Sequence, residues 1–225
     1  MGEHVTFKAN GRTATGYLAR SAGNGPGVVV IQEWWGLVPH IENLADRFAA
    51  EGFVALAPDL YHGEKATSPD QAGKLMMSMR IDEAAKDLAG AIDHLRQQPG
   101  VTGSKVGTVG FCMGGALSLF AASQNPEVGA CVVFYGGHPN VKPDIPKLQA
   151  PVLGIWAGKD GFVTPEVVSE LDKQLTAAGK RHEFHTYPAA QHAFFNNTRP
   201  EVYDSSAAAD AWTRTIAFLR KELRP

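Results

Sequence analysis

The residues best equipped for chemistry lie in Val109-Gly110-Phe111-Cys112-Met113-Gly114-Gly115, where a cysteine occupies the centre of a Gly-x-Cys-x-Gly-Gly turn. A valine-rich run precedes the turn and an alanine- and leucine-rich run follows it, so a strand-to-helix corner is expected. Glycines flank such a corner because a β-carbon does not fit where the backbone folds back on itself. The first turn of the following helix presents unpaired amides and a partial positive charge, which favour a thiolate and a developing oxyanion. The chemistry implied is attack of sulfur on a carbonyl carbon. A free thiol, with a pKa of about 8.5, is mostly protonated at neutral pH and needs a base. Asp160 in Gly158-Lys159-Asp160 follows the apolar run Val152–Trp156, and His192 in His192-Ala193-Phe194 follows the expected strand Glu183–Tyr187, so the chain order is nucleophile, acid, histidine. His192 can take the thiol proton and return it to a leaving alkoxide, while Asp160 holds the imidazole in the useful tautomer. Glu33, just beyond Val28 to Ile31, is a fourth candidate at a strand end.

Other reactive residue types have plainer readings. Cys131, inside Ala130-Cys131-Val132-Val133-Phe134, reads as packing, since cysteine is among the most buried residue types. An aspartate beside glycine also commonly bonds its own turn, so Asp160 depends on its partners for meaning. His182 and His185 fall at odd spacing on an expected strand and point to opposite faces. The two cysteines form no metal-binding spacing, so no metal site and no cofactor are implied.

The elements that must position these residues read as alternating strands and helices. Val5–Lys8 and Thr13–Ala19, separated by Asn10-Gly11, suggest a hairpin. Strands are expected at Gly27–Ile31, Phe53–Ala57, Val106–Val109, Val128–Tyr135, Val152–Trp156 and Glu183–Tyr187. Helices are expected at Ile41–Glu51, Met113–Ser123, Pro165–Ala178 and Tyr203–Leu223, with one long amphipathic stretch over Asp70–Gln98. Repeated strand-helix units require crossovers, hence an α/β fold with a mostly parallel central sheet covered on both faces, in three layers. No segment marks a second domain, so one domain over residues 1–225 without a separate cap is expected. Ligands in such sheets bind beyond the carboxyl ends of the strands, which is where all four candidates fall.

Composition narrows the partners. With 44% hydrophobic residues among 225, the chain can bury a substantial core, and a formal charge of −2 gives no basic field for nucleic acid. There is no apolar stretch of bilayer length and no amino-terminal signal pattern, which suggests a cytoplasmic protein without membrane attachment. Met1-Gly2-Glu3-His4-Val5-Thr6 fits a myristoylation pattern formally, but the pattern is loose enough to occur by chance.

These residues together resemble the dienelactone hydrolases, or carboxymethylenebutenolidases, of the α/β-hydrolase superfamily. The likeness runs from about Gly27 to Leu219 and rests on Gln32-Glu33-Trp34-Trp35-Gly36, Ala57-Pro58-Asp59-Leu60-Tyr61, the cysteine elbow, Gly158-Lys159-Asp160 and His192-Ala193-Phe194. The resemblance implies an α/β-hydrolase fold and a cofactor-independent hydrolysis of a lactone or activated ester through a cysteine acyl-enzyme. It implies a Cys112, Asp160, His192 triad, with Glu33 helping to remove the thiol proton when substrate arrives. It also implies an oxyanion hole from the backbone amides of Trp34 and Met113.

Departures from the family pattern shape the expected substrate. Members acting on chlorocatechol-derived dienelactones carry a serine and an arginine after the catalytic histidine, where this chain has Ala193 and Asn196, and a further arginine before the long helix. Between Gly63 and Leu75 there is no arginine; Lys65, Lys74, Arg80 and Arg199 are the nearest cations. A carboxylate in a partly desolvated pocket favours a bidentate arginine, so a neutral ester or lactone is the expected substrate. Candidate substrate contacts are Trp35, Phe194, Asn196 and Tyr135. The expected partner is this small molecule, with the protein a monomer or small homo-oligomer. A rival reading, a non-catalytic scaffold or sensor that holds a lactone or electrophile at Cys112, remains open because one fold serves many functions.

Overall fold

The valine-rich runs form the middle of the sheet, as strands buried on both faces must. In the computed structural model, which describes residues 1–9 and 11–224, eight strands lie in the order β1-β2-β4-β3-β5-β6-β7-β8. They are β1 (Glu3–Ala9), β2 (Arg12–Ala19), β3 (Gly25–Ile31), β4 (Val54–Pro58), β5 (Val101–Phe111), β6 (Val128–Phe134), β7 (Val152–Ala157) and β8 (His182–Tyr187). The β1/β2 and β2/β4 pairs are antiparallel and every later pair is parallel. Of the Asn10-Gly11 turn expected between β1 and β2, Asn10 lies outside the described residues, while Gly11 has the positive φ of 71° that such a turn needs.

Helices cover both faces: α1 (Pro39–Ala50), α2 (Pro69–Ser78), α3 (Ile81–Arg96), α4 (Met113–Gln124), α5 (Pro165–Ala177) and α6 (Ser205–Glu222). One core joins Leu44 and Phe48 of α1 and Ile216 and Leu219 of α6 to Val28, Val30 and Val132 of the sheet. The other joins Leu88, Ile92 and Leu95 of α3, Leu117 of α4 and Leu175 of α5 to Val29, Ile31 and Val133. Successive residues of β3 thus feed opposite cores, as strand alternation requires. This is the expected three-layer α/β arrangement, in an α/β-hydrolase fold.

The expected single stretch over Asp70–Gln98 is two helices. Met79 (φ −63°, ψ 127°) and Arg80 are both extended, which breaks the chain between α2 and α3. The two segments answer to different surroundings: α3 packs a full apolar face on the sheet, whereas α2 buries only Ala72. Ser68 caps the start of α2 by accepting from the Gln71 amide, and Asp82 and Glu83 favour the start of α3.

The sheet order places β3 between β4 and β5, so the chain departs to opposite sides after β3 and β4. That reversal opens a crevice at the carboxyl ends of β3 and β5. Among the described residues no helix is long and apolar enough to cross a membrane.

Candidate active site

Cys112 follows β5 directly and has φ 55° and ψ −121°, a conformation that costs a non-glycine residue on the order of 1–3 kcal/mol. The surroundings hold it there. Its amide donates to Phe134 O at 3.0 Å, and its carbonyl accepts from Gly115 and Gly137 at 2.9 and 3.3 Å. The neighbouring glycines are a steric requirement: a β-carbon on Gly110 would sit 1.8 Å from Gly114 O, and one on Gly114 would sit 2.4 Å from Ile31 O. Among the described residues four non-glycines have positive φ, and three of them, Cys112, Tyr135 and Ala193, gather at this end of the sheet. Strain is concentrated where the reactive side chains are presented.

His192 follows β8, and its Nδ1 lies 2.7 Å from Asp160 Oδ2. Asp160 follows β7 and is almost wholly buried; its Oδ1 accepts from the amides of Phe162 and Val163 at 2.8 and 2.9 Å. Burial opposes ionisation of Asp160, but the bond and charge of His192 and the two amides outweigh it and lower its pKa. Burial likewise opposes a charged His192, yet the Asp160 hydrogen bond, and after it Cys112, hold the imidazole pKa up to about 10. The bond to Asp160 fixes the tautomer and leaves Nε2 for the thiol or substrate.

Glu33 comes at the end of β3, at the start of a turn closed by the Gly36 amide on Glu33 O at 3.3 Å. Its side chain is buried in the crevice, with Oε2 accepting from Asn196 Nδ2 at 2.7 Å and Oε1 without a partner. Burial raises the Glu33 pKa despite the Asn196 bond and the nearby charges of His192 and Arg199. A carboxyl whose pKa is raised and which keeps one free oxygen is a stronger base than an ordinary carboxylate. Trp34, next in the same loop, lines the crevice, and Met113 is the first residue of α4. Met113 N has no acceptor within its own helix by position.

The crevice is a cavity of about 720 Å³ lined by Glu33, Trp34, Trp35, Cys112 and His192 with an apolar wall that includes Met76 and Phe162. Three of the four expected substrate contacts lie outside the lining of this cavity. Phe194 is fully buried and packs against Tyr135 and Tyr187, because the positive φ of Ala193 turns the chain from the cavity into the core. Tyr135 is also fully buried, its ring centroid 5.1 Å from that of His192, so it supports the imidazole from behind. Asn196 is buried against Glu33, and its Oδ1 accepts from Thr198 N and Oγ1 at 3.0 and 2.6 Å. Those two bonds orient the amide so that only its NH₂ faces Glu33. Trp35 does line the cavity.

Sequence reasoning underweighted two features of the wall. Phe162 is 79% exposed yet its ring centroid lies 5.3 Å from that of His192, a position signalled only by its closeness to Asp160. Arg199 also reaches the cavity, with its Nε 2.8 Å from Glu201 Oε1, and Glu201 lines the same wall. No periodic pattern marks that loop, so its cation could not be placed from the sequence.

Comparison with known proteins agrees with this architecture. The sequence model of the Dienelactone hydrolase family matches residues 14–223. Protein usf of Aquifex pyrophilus is 41% identical over 99% of this chain and 100% of its own length. A protein of Aquifex aeolicus, provisionally named a carboxymethylenebutenolidase, is 36% identical over 100% of both chains. Among solved structures, a dienelactone hydrolase-like promiscuous phosphotriesterase, P91, from metagenomic libraries is similar with a TM-score of 0.90 at 26% identity, covering 100% of this chain and 99% of that one.

Proposed function

The chain belongs to the dienelactone hydrolase family and is a carboxylic-ester hydrolase, and from that premise we propose that it cleaves a neutral lactone or activated ester through a cysteine acyl-enzyme. The observation that carries the reading is a cysteine on a strained elbow beside an imidazole anchored by a buried carboxylate. Cys112 Sγ, as thiolate, adds to the carbonyl carbon, and the new oxyanion takes hydrogen bonds from the Trp34 and Met113 amides. Collapse breaks the bond to the leaving oxygen, which takes the proton held by His192. Water then attacks the thioester, giving its proton to His192; the carbon–sulfur bond breaks and the carboxylic acid leaves.

Glu33 supplies the first deprotonation in this scheme. An imidazole held protonated by Asp160 has little capacity for another proton, whereas Glu33 has a free oxygen in the same cavity and a raised pKa. Neutral substrates fit best because Arg199, the arginine in the cavity wall, is already paired with Glu201. An added carboxylate would have to compete for it.

The test is a panel of neutral lactones, short aryl esters and carboxylate-bearing dienelactones, with mass spectrometry of rapidly quenched enzyme. The reading requires an acyl adduct on Cys112 and faster turnover of the neutral compounds. An active enzyme without an adduct, or with turnover kept in Cys112→Ala, overturns the cysteine chemistry. Preference for carboxylates overturns the substrate assignment alone.

A further inference from the structure

The catalytic cavity does not end at Cys112. Gly137, His138 and Val167 border it on one side and, on the other, border a second cavity of about 440 Å³ between α4 and α5. That second groove is lined by Ala116 and Leu119 of α4, Val133 and Val141 around the end of β6, and Val167 and Leu171 of α5. Ala116 is one helical turn from Cys112, so the groove begins beside the nucleophile.

We propose that this groove is a binding site for an unbranched, uncharged hydrocarbon arm of the ester, of medium length. The inference rests on the ester-hydrolase reading and adds a substrate class to it. Three observations carry it. The groove adjoins the catalytic cavity at Gly137, His138 and Val167, which line both. Its wall is aliphatic, and the edge contributed by α5 carries Glu166 and Glu170, which disfavour a chain ending in a carboxylate. Val167 is 51% exposed although it sits at the junction, an apolar surface that a bound chain would cover. From Val167 to Gln174, both bordering the groove, α5 advances about 10 Å, which accommodates an extended chain of roughly eight carbons.

His138 positions the junction. Its Nδ1 accepts from the Asn140 amide at 3.0 Å and its Nε2 donates to Met76 O at 3.2 Å, which ties the segment after β6 to α2 across the cavity. The passage therefore has one wall fixed by hydrogen bonds and the other formed by the exposed Val167 side chain.

The experiment measures kcat/KM for p-nitrophenyl esters from two to sixteen carbons, and in parallel for acetates of straight-chain alcohols. Burial of a methylene multiplies kcat/KM by up to about fourfold, so one series should climb steeply to roughly eight to ten carbons and then level. The series that climbs identifies whether the acyl or the alcohol arm occupies the groove. Val167→Trp, at an exposed position that does not threaten folding, should flatten the climb, as should Leu171→Trp. A flat or falling profile in both series, or a climb unaltered by both variants, overturns the proposal. Calorimetric binding of straight-chain 2-alkanones of four to ten carbons separates this from the chemistry. Affinity rising with length in an enzyme that hydrolyses no ester keeps the groove and removes the catalytic reading. Ester turnover with length-independent ketone binding does the reverse.

Discussion

The two cysteines stand nineteen residues apart, one at the corner after β5 and the other within the neighbouring β6, and their surroundings differ in nearly every physical respect. Cys131 lies within β6, fully buried and paired in register with Thr108 of β5 and Val152 of β7. Its sulfur lies 3.5 Å from Ser118 Oγ, and burial pushes the thiol pKa up to about 11. Cys112 is half-buried, sits on a positive-φ corner and shares a cavity with Glu33 and His192. Strand interiors satisfy the backbone on both sides and leave a side chain to pack. Strand ends release the chain into turns, where strained backbone can aim a side chain at solvent and at groups from distant segments. The same residue type is filler in one place and, in the proposed reaction, nucleophile in the other.

The sharpest way to break that contrast is to delete each sulfur in turn. Cys112→Ala should lower kcat/KM for a short aryl ester by about 10⁴-fold or more, since the groups around a nucleophile act as a unit. Cys131→Ala should change it by less than about threefold, because Cys131 is buried within β6 and does not line the cavity. Iodoacetamide labelling at neutral pH, followed by peptide mass spectrometry, should modify Cys112 and spare Cys131 in folded protein. Equal labelling, or similar losses from the two deletions, would dissolve the distinction.

The next effect tests what makes Cys112 differ. Asp160→Asn keeps the shape but removes the charge that holds His192 up, so kcat should fall by about 10³- to 10⁴-fold at neutral pH. The basic limb of kcat should also move to lower pH, because the imidazolium loses the partner that raised its pKa. A basic limb unchanged in this variant would mean that His192 is not the group titrating there.

A smaller effect is expected at Asn196. Its NH₂ stabilises the ionised form of Glu33, so Asn196→Ala should raise the Glu33 pKa further and shift the acid limb of kcat/KM to higher pH. The groups facing Glu33 besides Asn196 are His192 and Arg199, both of which favour its ionised form, and Tyr135, whose own pKa it raises. The loss should be greatest on the acid side of the profile and should recover as pH rises. Thr198→Val, which removes one of the two bonds orienting the amide, should shift the limb in the same direction by less. A uniform loss across pH would assign Asn196 to packing alone.

The sequence placed Glu33, Cys112, Asp160 and His192 at strand ends, and the structure has each of them follow a strand, β3, β5, β7 and β8 in turn, at the end of the sheet where such folds bind ligands. It misjudged what stands beside them. Adjacency to His192 suggested that Phe194 faces substrate, but one positive φ at Ala193 sends it into the core, and no side-chain pattern records that angle. Asn196 was expected to touch substrate, yet a bond across 163 residues of chain gives it to Glu33. The break between α2 and α3 was equally hidden, since both halves have helical spacing and only their packing partners differ. Local periodicity reports which face is apolar, and long-range contacts decide what that face meets.

The smallest expected effect returns to Cys131, as a property of stability alone. Removing its sulfur from a fully packed strand should cost about 1–2 kcal/mol. That cost should depend on pH with a definite sign. The folded thiol stays protonated up to about 11, whereas its ordinary value is 9.0, so between those values the unfolded chain loses this proton first. The unfolded state then binds fewer protons, and the thiol's contribution, fully present below pH 9, declines as pH rises toward 11. Urea unfolding of wild type and Cys131→Ala should therefore show a difference that is level from pH 7 to 8 and shrinks between pH 9 and 11. A constant difference across that range would mean that Cys131 ionises as easily in the folded protein as in the unfolded chain, and the buried cysteine would lose the inertness that separates it from Cys112.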